Sequence, residues 1–495
     1  MLTLLSPHKL CLYLALTALA LEASSLEASS KAPEPPCSRT DVLCLDSLDS
    51  ISITTLRQRS YSSYPKLIKQ LGSPKTPNDY TRHYSQDGSP PYSTFVASYH
   101  SDGLLNYARV DIPATVMPVE GFPVVLFAHG WVGKENAPDY GFGYDTQSFT
   151  GKIVDAYVDA GFVVVTPGHR GHGTIDNQPA AGIEFMQRWD NSSYLMPSFY
   201  AIDLLNLLEG LDHLNNNDWV QWGHAAPKTP KLNLSAINLS AHSQGGDVAL
   251  TALAISGEGS SINNTIKSAS IWSGNIPDRF TQAETFGPMA SSLQAFMSGD
   301  GKWTGSAVGQ DGSINPNFIF AWPADWIGTL DTQSKDWSWQ QETWNIPTVE
   351  AAVRKQYNTM YATLNHFVRD IENANFNLSV DPQGKIQIKH PMKIAQQMRA
   401  IGGFFATEFL TEPLSLHFSD RDYYSFPVWN TNLTKRINLK GGEATAFIYP
   451  GNTHSLKLSK HRWFSPIGTH EGFSSALKRD LLLFSGEDPK RIKHP

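Results

Sequence analysis

The chain has 495 residues, 41% of them hydrophobic and 11% aromatic, which supplies apolar surface for a large core and excludes disorder along its whole length. A formal charge of −7 excludes a phosphate-tracking nucleic-acid binder, which would carry a basic face. At this length an α/β architecture often still runs as one catalytic domain.

The N-terminus reads as an export signal over residues 1–23. Lys9 supplies the positive flank, and Leu10 to Leu21 is an apolar run of 12 residues broken only by Thr17. That run is too short for a bilayer span but suits the core of a signal. Ala18-Leu19-Ala20 offers a small-residue cleavage site, with Glu22-Ala23 as a second. No later segment is apolar enough to span a bilayer, so the expectation is a secreted or periplasmic protein without stable membrane insertion. Cys11 falls inside the signal, which leaves Cys37 and Cys44 as an even pair. A disulfide there would constrain the unfolded chain by roughly 2.5 kcal/mol in the entropic account; two free thiols are the alternative. Sequons begin at Asn191, Asn233, Asn238, Asn263, Asn377 and Asn432, and Asn238 falls in a predicted buried strand that should carry no glycan.

Residues 24–90, rich in Ser, Pro and Tyr, read as a loosely structured arm that packs on the body. From there the pattern is strand-like. Ser93 to His100 and Leu104 to Pro113 flank Ser101-Asp102-Gly103, a hairpin turn signal. Pro123 to Ala128 is wholly apolar, as a buried parallel strand is. A helix follows over Thr150 to Ala160, stopped by Gly161, then a strand over Phe162 to Pro167 and an amphipathic helix over Phe199 to Leu214. Ala236 to Ala241 is a strand, Gly246 to Ile255 a helix and Ile266 to Ser273 a strand. This alternation is the signature of right-handed βαβ units and a mostly parallel sheet with helices on both faces.

The alternation stops over 280–405, a stretch holding Trp303, Trp322, Trp326, Trp337, Trp339 and Trp344 and a helix over Thr348 to Ile371. It resumes with strands at Pro413 to Phe418 and Ala444 to Tyr449 and a helix at Glu471 to Phe484. The chain therefore divides into a first core part at 91–279, a mainly helical cap or lid at 280–405, and a second core part at 406–495. The tryptophans suit a small satellite core.

The sharpest chemical signal is Ser240-Ala241-His242-Ser243-Gln244-Gly245-Gly246 between a predicted strand and a predicted helix. A turn this tight strains the central residue and needs small neighbours two before and two after, here Ala241 and Gly245. Ser243 is thus the candidate nucleophile. A serine hydroxyl needs a base, expected after a late strand in the order Ser, acid, His. His454, in Tyr449-Pro450-Gly451-Asn452-Thr453-His454, fills that place, whereas His417, His461 and His470 do not. The acid follows the preceding strand, where Asp422 is favoured; Asp420 and Asp278 are the alternatives. Two backbone N–H groups must face the developing oxyanion, and Gln244 and Trp131 are placed to supply them. Arg170, His172 and His242 read as structural. No metal-ligand spacing or phosphate-cradling loop stands out, so no cofactor is expected.

With Tyr99-His100-Ser101-Asp102-Gly103-Leu104, Phe122 to Gly130, Gly161 to Val165 leading to Arg170-Gly171-His172-Gly173, and AHSQGG at 241–246, the chain resembles the α/β-hydrolase superfamily. Within it the similarity is to the prolyl-oligopeptidase-like catalytic module. The resemblance covers about 92–275 and 410–485, and Gly168 stands where such enzymes often carry Asp. It implies a Ser243–Asp422–His454 triad acting on a small-molecule ester or peptide substrate, as a carboxylesterase or a serine peptidase. A non-catalytic binding or adhesion protein that keeps the fold is the alternative reading.

Overall fold

The computed structural model describes residues 37, 41–71, 92–142, 149–189, 193–217, 219, 229–283, 349–380, 386–419, 422, 425–449, 454–456 and 471–492. Residues 1–41 form a unit of their own in which only Cys37 and Asp41 are described, so the predicted export signal lies outside the described residues. Cys37 lies in that unit and Cys44 in residues 42–495. Among the described residues no helix is long and apolar enough to cross a membrane.

Residues 42–495 are built on a nine-stranded sheet. Its strands are β1 (Lys66–Leu71), β2 (Tyr92–Ser101), β3 (Leu104–Pro113), β4 (Phe122–Ala128), β5 (Val163–Pro167), β6 (Leu232–His242), β7 (Ile266–Trp272), β8 (Leu414–Ser419) and β9 (Ala444–Tyr449). Their spatial order is β1-β2-β3-β5-β4-β6-β7-β8-β9. The first three pair antiparallel, and β3 also runs antiparallel to β5; from β5 to β9 every pairing is parallel. Asp102 and Gly103, with φ of 51° and 80°, form the two-residue turn between β2 and β3 that the sequence predicted.

The helices that matter here are α1 (Phe149–Asp159), α2 (Met196–Glu209), α3 (Gln244–Ser256), α4 (Val349–Phe367), α5 (Met392–Arg399), α6 (Pro427–Leu439) and α7 (Glu471–Phe484). Strand alternation sorts the core into two layers. Val124, Leu126, Ala128, Val163, Val165, Leu239, Ala241, Ala269, Ile271, Leu416 and Phe418 pack with α2, α3, α4 and α6. Val125, Phe127, Val164, Trp272, Phe447 and Tyr449 face the other way, against Ile153, Val154 and Tyr157 of α1 and Phe473, Ala476 and Leu483 of α7. Because both faces are covered, the central strands carry apolar residues at consecutive positions. This is the α/β-hydrolase fold: a mostly parallel central sheet with helices on both faces.

Three features depart from the sequence reading. The arm supplies a sheet strand, β1, and adds Leu48, Ile51, Ile53, Leu56 and Leu67 to the core. The helix expected to be amphipathic over Phe199 to Leu214 runs from Met196 to Glu209, gives way to a 3-10 turn at Leu211–Asn216, and is buried on every side from Met196 to Leu208. Its polar positions are buried because they have partners: Asp203 accepts from the Arg170 guanidinium at 2.7 Å and from the Arg170 N–H at 2.8 Å, and Asn206 donates to Ser101 Oγ at 2.9 Å. The third departure is α6, whose Pro427 occupies a first-turn position that needs no N–H partner.

Within the 280–405 stretch, α4 and α5 are described and pack on the same core as α3 through Val353, Tyr357, Met360, Leu364, Ile394 and Met398. The six tryptophans lie outside the described residues. Asn238 is buried and accepts from Ser268 Oγ at 2.8 Å, in keeping with its exclusion as a glycan site.

The Arg170–Asp203 pair tests this packing. Asp203→Ala strands a buried guanidinium and should lower stability by about 3–5 kcal/mol. Urea unfolding of the purified variant measures it, and a loss below about 1 kcal/mol would contradict the burial assigned to the pair.

Candidate active site

Ser243 sits between β6 and α3 with φ 58° and ψ −125°, backbone angles that few L-residues adopt. The turn is wedged from below. A Cβ at Gly245 would lie 2.1 Å from the Ala128 carbonyl oxygen and 2.5 Å from that of His129, so only glycine lets the first turn of α3 approach the end of β4. Ser243 N–H donates to the Trp272 carbonyl at 3.0 Å, and the Ser243 carbonyl accepts from Gly246 and Asn275, both at 2.9 Å. These bonds fix the strained residue from both sides.

His454 and Asp422 come together. His454 Nδ1 lies 3.0 Å from each oxygen of the Asp422 carboxylate, which is fully buried, while the imidazole side chain keeps 15% of its surface exposed. Asp422 follows β8 and His454 follows β9, adjacent parallel strands whose last residues, Ser419 and Tyr449, are in register. The acid's loop is fastened at Ser425, whose N–H donates to Asp422 Oδ1 at 3.1 Å and whose hydroxyl donates to the Gly274 carbonyl at 2.7 Å. Asp278, the alternative acid, serves elsewhere. Its carboxylate accepts from the N–H groups of Phe280 and Thr281 at 3.1 and 3.3 Å and from Thr281 Oγ1 at 2.7 Å, which makes it the cap of the following turn. Asp420 lies outside the described residues.

His242, read from sequence as structural, also reaches the base's loop. Its Nε2 lies 3.1 Å from the His454 carbonyl oxygen, and the two rings are 4.9 Å apart. Burial first, and then the charge of His454, push the His242 pKa down to about 3, which keeps this ring neutral between β6 and the loop of His454.

Of the two expected oxyanion donors, Gln244 directly follows the serine in the chain and Trp131 follows Gly130. Gln244 is the first residue of α3, where an N–H has no acceptor within its own helix. A Cβ at Gly130 would lie 3.2 Å from Ser243 Cβ, so the backbone after β4 passes directly beside the serine. The Trp131 side chain is 48% exposed. Behind this loop stands a group of buried histidines that the sequence reading did not connect. The His129 ring lies 5.0 Å from His169 and 5.3 Å from His172, with Tyr140 stacked on His129 at 4.8 Å and Tyr200 on His169 at 4.7 Å. Burial lowers the pKa of all three, that of His172 to about 3. Arg170, next in sequence to His169, is neutralised by Asp203. Gly168 is required by packing, since a Cβ there would lie 2.7 Å from Phe142 Cζ.

A strained serine, an imidazole backed by a buried carboxylate, and a helix N-terminus share the C-terminal rim of the parallel strands, the usual place for a site in an open α/β sheet.

No protein-family model matches the chain, and no curated protein matches it in sequence. Among solved structures it is similar to Pyrococcus horikoshii acylaminoacyl peptidase, with TM-score 0.44 and 13% identity over 83% of this chain and 44% of that one. It is similar to acetyl xylan esterase 1 from Thermoanaerobacterium, with TM-score 0.42 and 10% identity over 89% and 94% of the two chains. It is also similar to Candida antarctica lipase A, with TM-score 0.44 and 14% identity over 86% and 83%. The alignment spans less than half of the peptidase's length.

The buried histidines predict acid sensitivity. A histidine whose pKa is lowered on folding binds its proton in the unfolded chain first, so stability rises with pH between the folded and unfolded values, here between about 3 and 6.5 for His172 and His242. Between pH 7 and pH 5 each of these two should cost roughly 2 kcal/mol of stability. His129, His169, Tyr140, Tyr200 and Arg170 around His172, and His454 and Asp422 around His242, are the titratable groups that face them. Urea midpoints at the two pH values measure the effect, and equal stability at both would show that these rings do not stay neutral.

Proposed function

We propose that the chain is an exported serine hydrolase that cleaves an ester or a peptide/amide bond through a Ser243–His454–Asp422 triad. The observation that carries the reading is the His454–Asp422 contact at 3.0 Å, made by the two residues that follow neighbouring strands, on the rim where the strained serine sits. A buried carboxylate on Nδ1 holds the imidazole in the tautomer that leaves Nε2 to act as base.

The reaction then runs in two halves. Ser243 Oγ bonds the substrate's carbonyl carbon as its proton passes to His454 Nε2, and the carbonyl oxygen becomes an oxyanion that accepts from the N–H groups of Trp131 and Gln244. The imidazolium, stabilised by Asp422, gives that proton to the departing oxygen or nitrogen as its bond to carbon breaks. Water repeats the sequence on the acyl-serine and releases the acid. The 280–405 insertion, whose described helices pack beside α3, is proposed as the cap that selects substrates. Carboxylesterase and peptidase activities both fit this machinery, and aryl-ester and aminoacyl-amide turnover measured side by side separates them.

Ser243→Ala should lower turnover by several orders of magnitude while the melting temperature stays near that of the wild type. A fluorophosphonate probe should label the folded wild type at Ser243 alone. Folded protein that takes no label would return the chain to the reading of a binding or adhesion protein on a hydrolase scaffold.

The acid assignment has its own test. Asp422→Asn keeps the shape but lets the wrong tautomer of His454 form, and should cost on the order of 10⁴ in kcat, far more than Asp420→Asn. The reverse ranking in steady-state kinetics would move the acid to residue 420.

A further inference from the structure

We propose that Asp480 is a positioning residue for this site, a role that rests on the hydrolase reading above. Asp480 lies on α7 in the amphipathic stripe Phe473, Ala476, Asp480, Leu483, so helical spacing turns a carboxylate into the core where an apolar side chain is expected. It is completely buried. Three donors converge on it: Ser270 Oγ on Oδ1 at 2.6 Å, and Tyr157 Oη and Trp272 Nε1 on Oδ2 at 2.6 and 2.7 Å. His417 Nε2 lies 3.0 Å from Oδ1.

The partners are not scattered. Tyr157 also shares a hydrogen bond with Ser240 Oγ at 2.9 Å, three residues before the nucleophile. Ser270 and Trp272 belong to β7, and the Trp272 carbonyl accepts from Ser243 N–H. His417 belongs to β8, five residues before the acid; its carbonyl accepts from Ser273 N–H at 2.7 Å, and its Nδ1 lies 2.8 Å from Tyr449 Oη at the end of β9. Tyr449 in turn accepts from Arg479, the neighbour of Asp480 on α7, at 3.1 Å. One carboxylate thus gathers a polar row across the underside of β6, β7, β8 and β9. Those strands deliver Ser243, the acceptor of its N–H, Asp422 and His454 in turn.

Hydrogen bonds at this depth are expensive to leave unmade, so the row holds its members at fixed lateral spacing. Nothing in it touches substrate. Its effect on chemistry comes from setting how far the ends of β6, β8 and β9 stand apart, and misplacement of reacting groups by about 1 Å can cost on the order of 10² in rate.

The test uses the full mature chain, with kcat expressed per serine titrated by a fluorophosphonate probe. Asp480→Asn keeps the side chain's shape but replaces one acceptor oxygen with a donor that faces donors. It should lower kcat per titrated site by about tenfold or more and leave KM within about twofold. Tyr157→Phe removes only the hydroxyl that joins Ser240 to Asp480 and should lower kcat by about threefold. A carboxylate that merely stabilised the fold would lower the yield and melting temperature of the variants and leave kcat per titrated site unchanged; that result overturns the proposal. Should Asp480→Asn not fold, Tyr157→Phe decides by the same criterion. A wild type that takes no label at Ser243 removes the hydrolase reading and this role together, whereas a labelled wild type with a fully active Asp480→Asn removes this role alone.

Discussion

The arrangement turns on a collision that glycine avoids. The first turn of α3 comes so close to the end of β4 that a single methyl group at Gly245 would overlap the carbonyl oxygens of Ala128 and His129. That closeness forces the positive φ at Ser243, because the chain must reverse within one residue to leave β6 and start the helix. It also brings the backbone after β4 alongside the serine. Strain in one residue and proximity of two loops are consequences of the same contact, and the strain persists because Trp272, Gly246 and Asn275 hold the residue through its own N–H and carbonyl.

The return of the chain from the 280–405 stretch is tied to the same helix. A Cβ at Gly403 would lie 2.3 Å from the Leu250 carbonyl oxygen of α3, and one at Gly402 would lie 2.9 Å from the Arg279 guanidinium. Arg279 pairs with Asp247 in the first turn of α3, and Gln282 donates to the same carboxylate at 2.9 Å. Arg279 and Gly402, near the two ends of this stretch, are therefore both fastened beside α3.

Much of this was legible in the sequence because burial on both sides of a sheet leaves a strong mark. The strands at 122–128 and 163–167 are short, mostly apolar runs with clear ends, and the pattern at 240–246 placed a tight strand-to-helix turn at Ser243. The contact of Asp422 with His454 followed from chain order and strand ends. What was not legible depends on partners distant in sequence. Burial of Asp203 and Asn206 makes α2 core on all sides, yet their partners Arg170 and Ser101 lie 33 and 105 residues earlier. The strand at Lys66–Leu71 carries two lysines and a glutamine among three apolar residues, a weak signal that pairing with β2 overrides. Asp480 did leave a trace, a charge on the apolar stripe of its helix. Only the convergence of Tyr157, Ser270 and Trp272 explains it.

Among the described residues β1 lies at the outer margin of the sheet. Without Lys66–Leu71, the ten-residue strand β2 would present a long row of open backbone donors and acceptors to any other strand, the commonest invitation to aggregation in sheet proteins. Lys66 and Lys69 on the covering strand are the charged guards that natural edges use against such pairing. Proteolysis that removes residue 71 and everything before it would therefore leave β2 uncovered and expose the sheet to self-association.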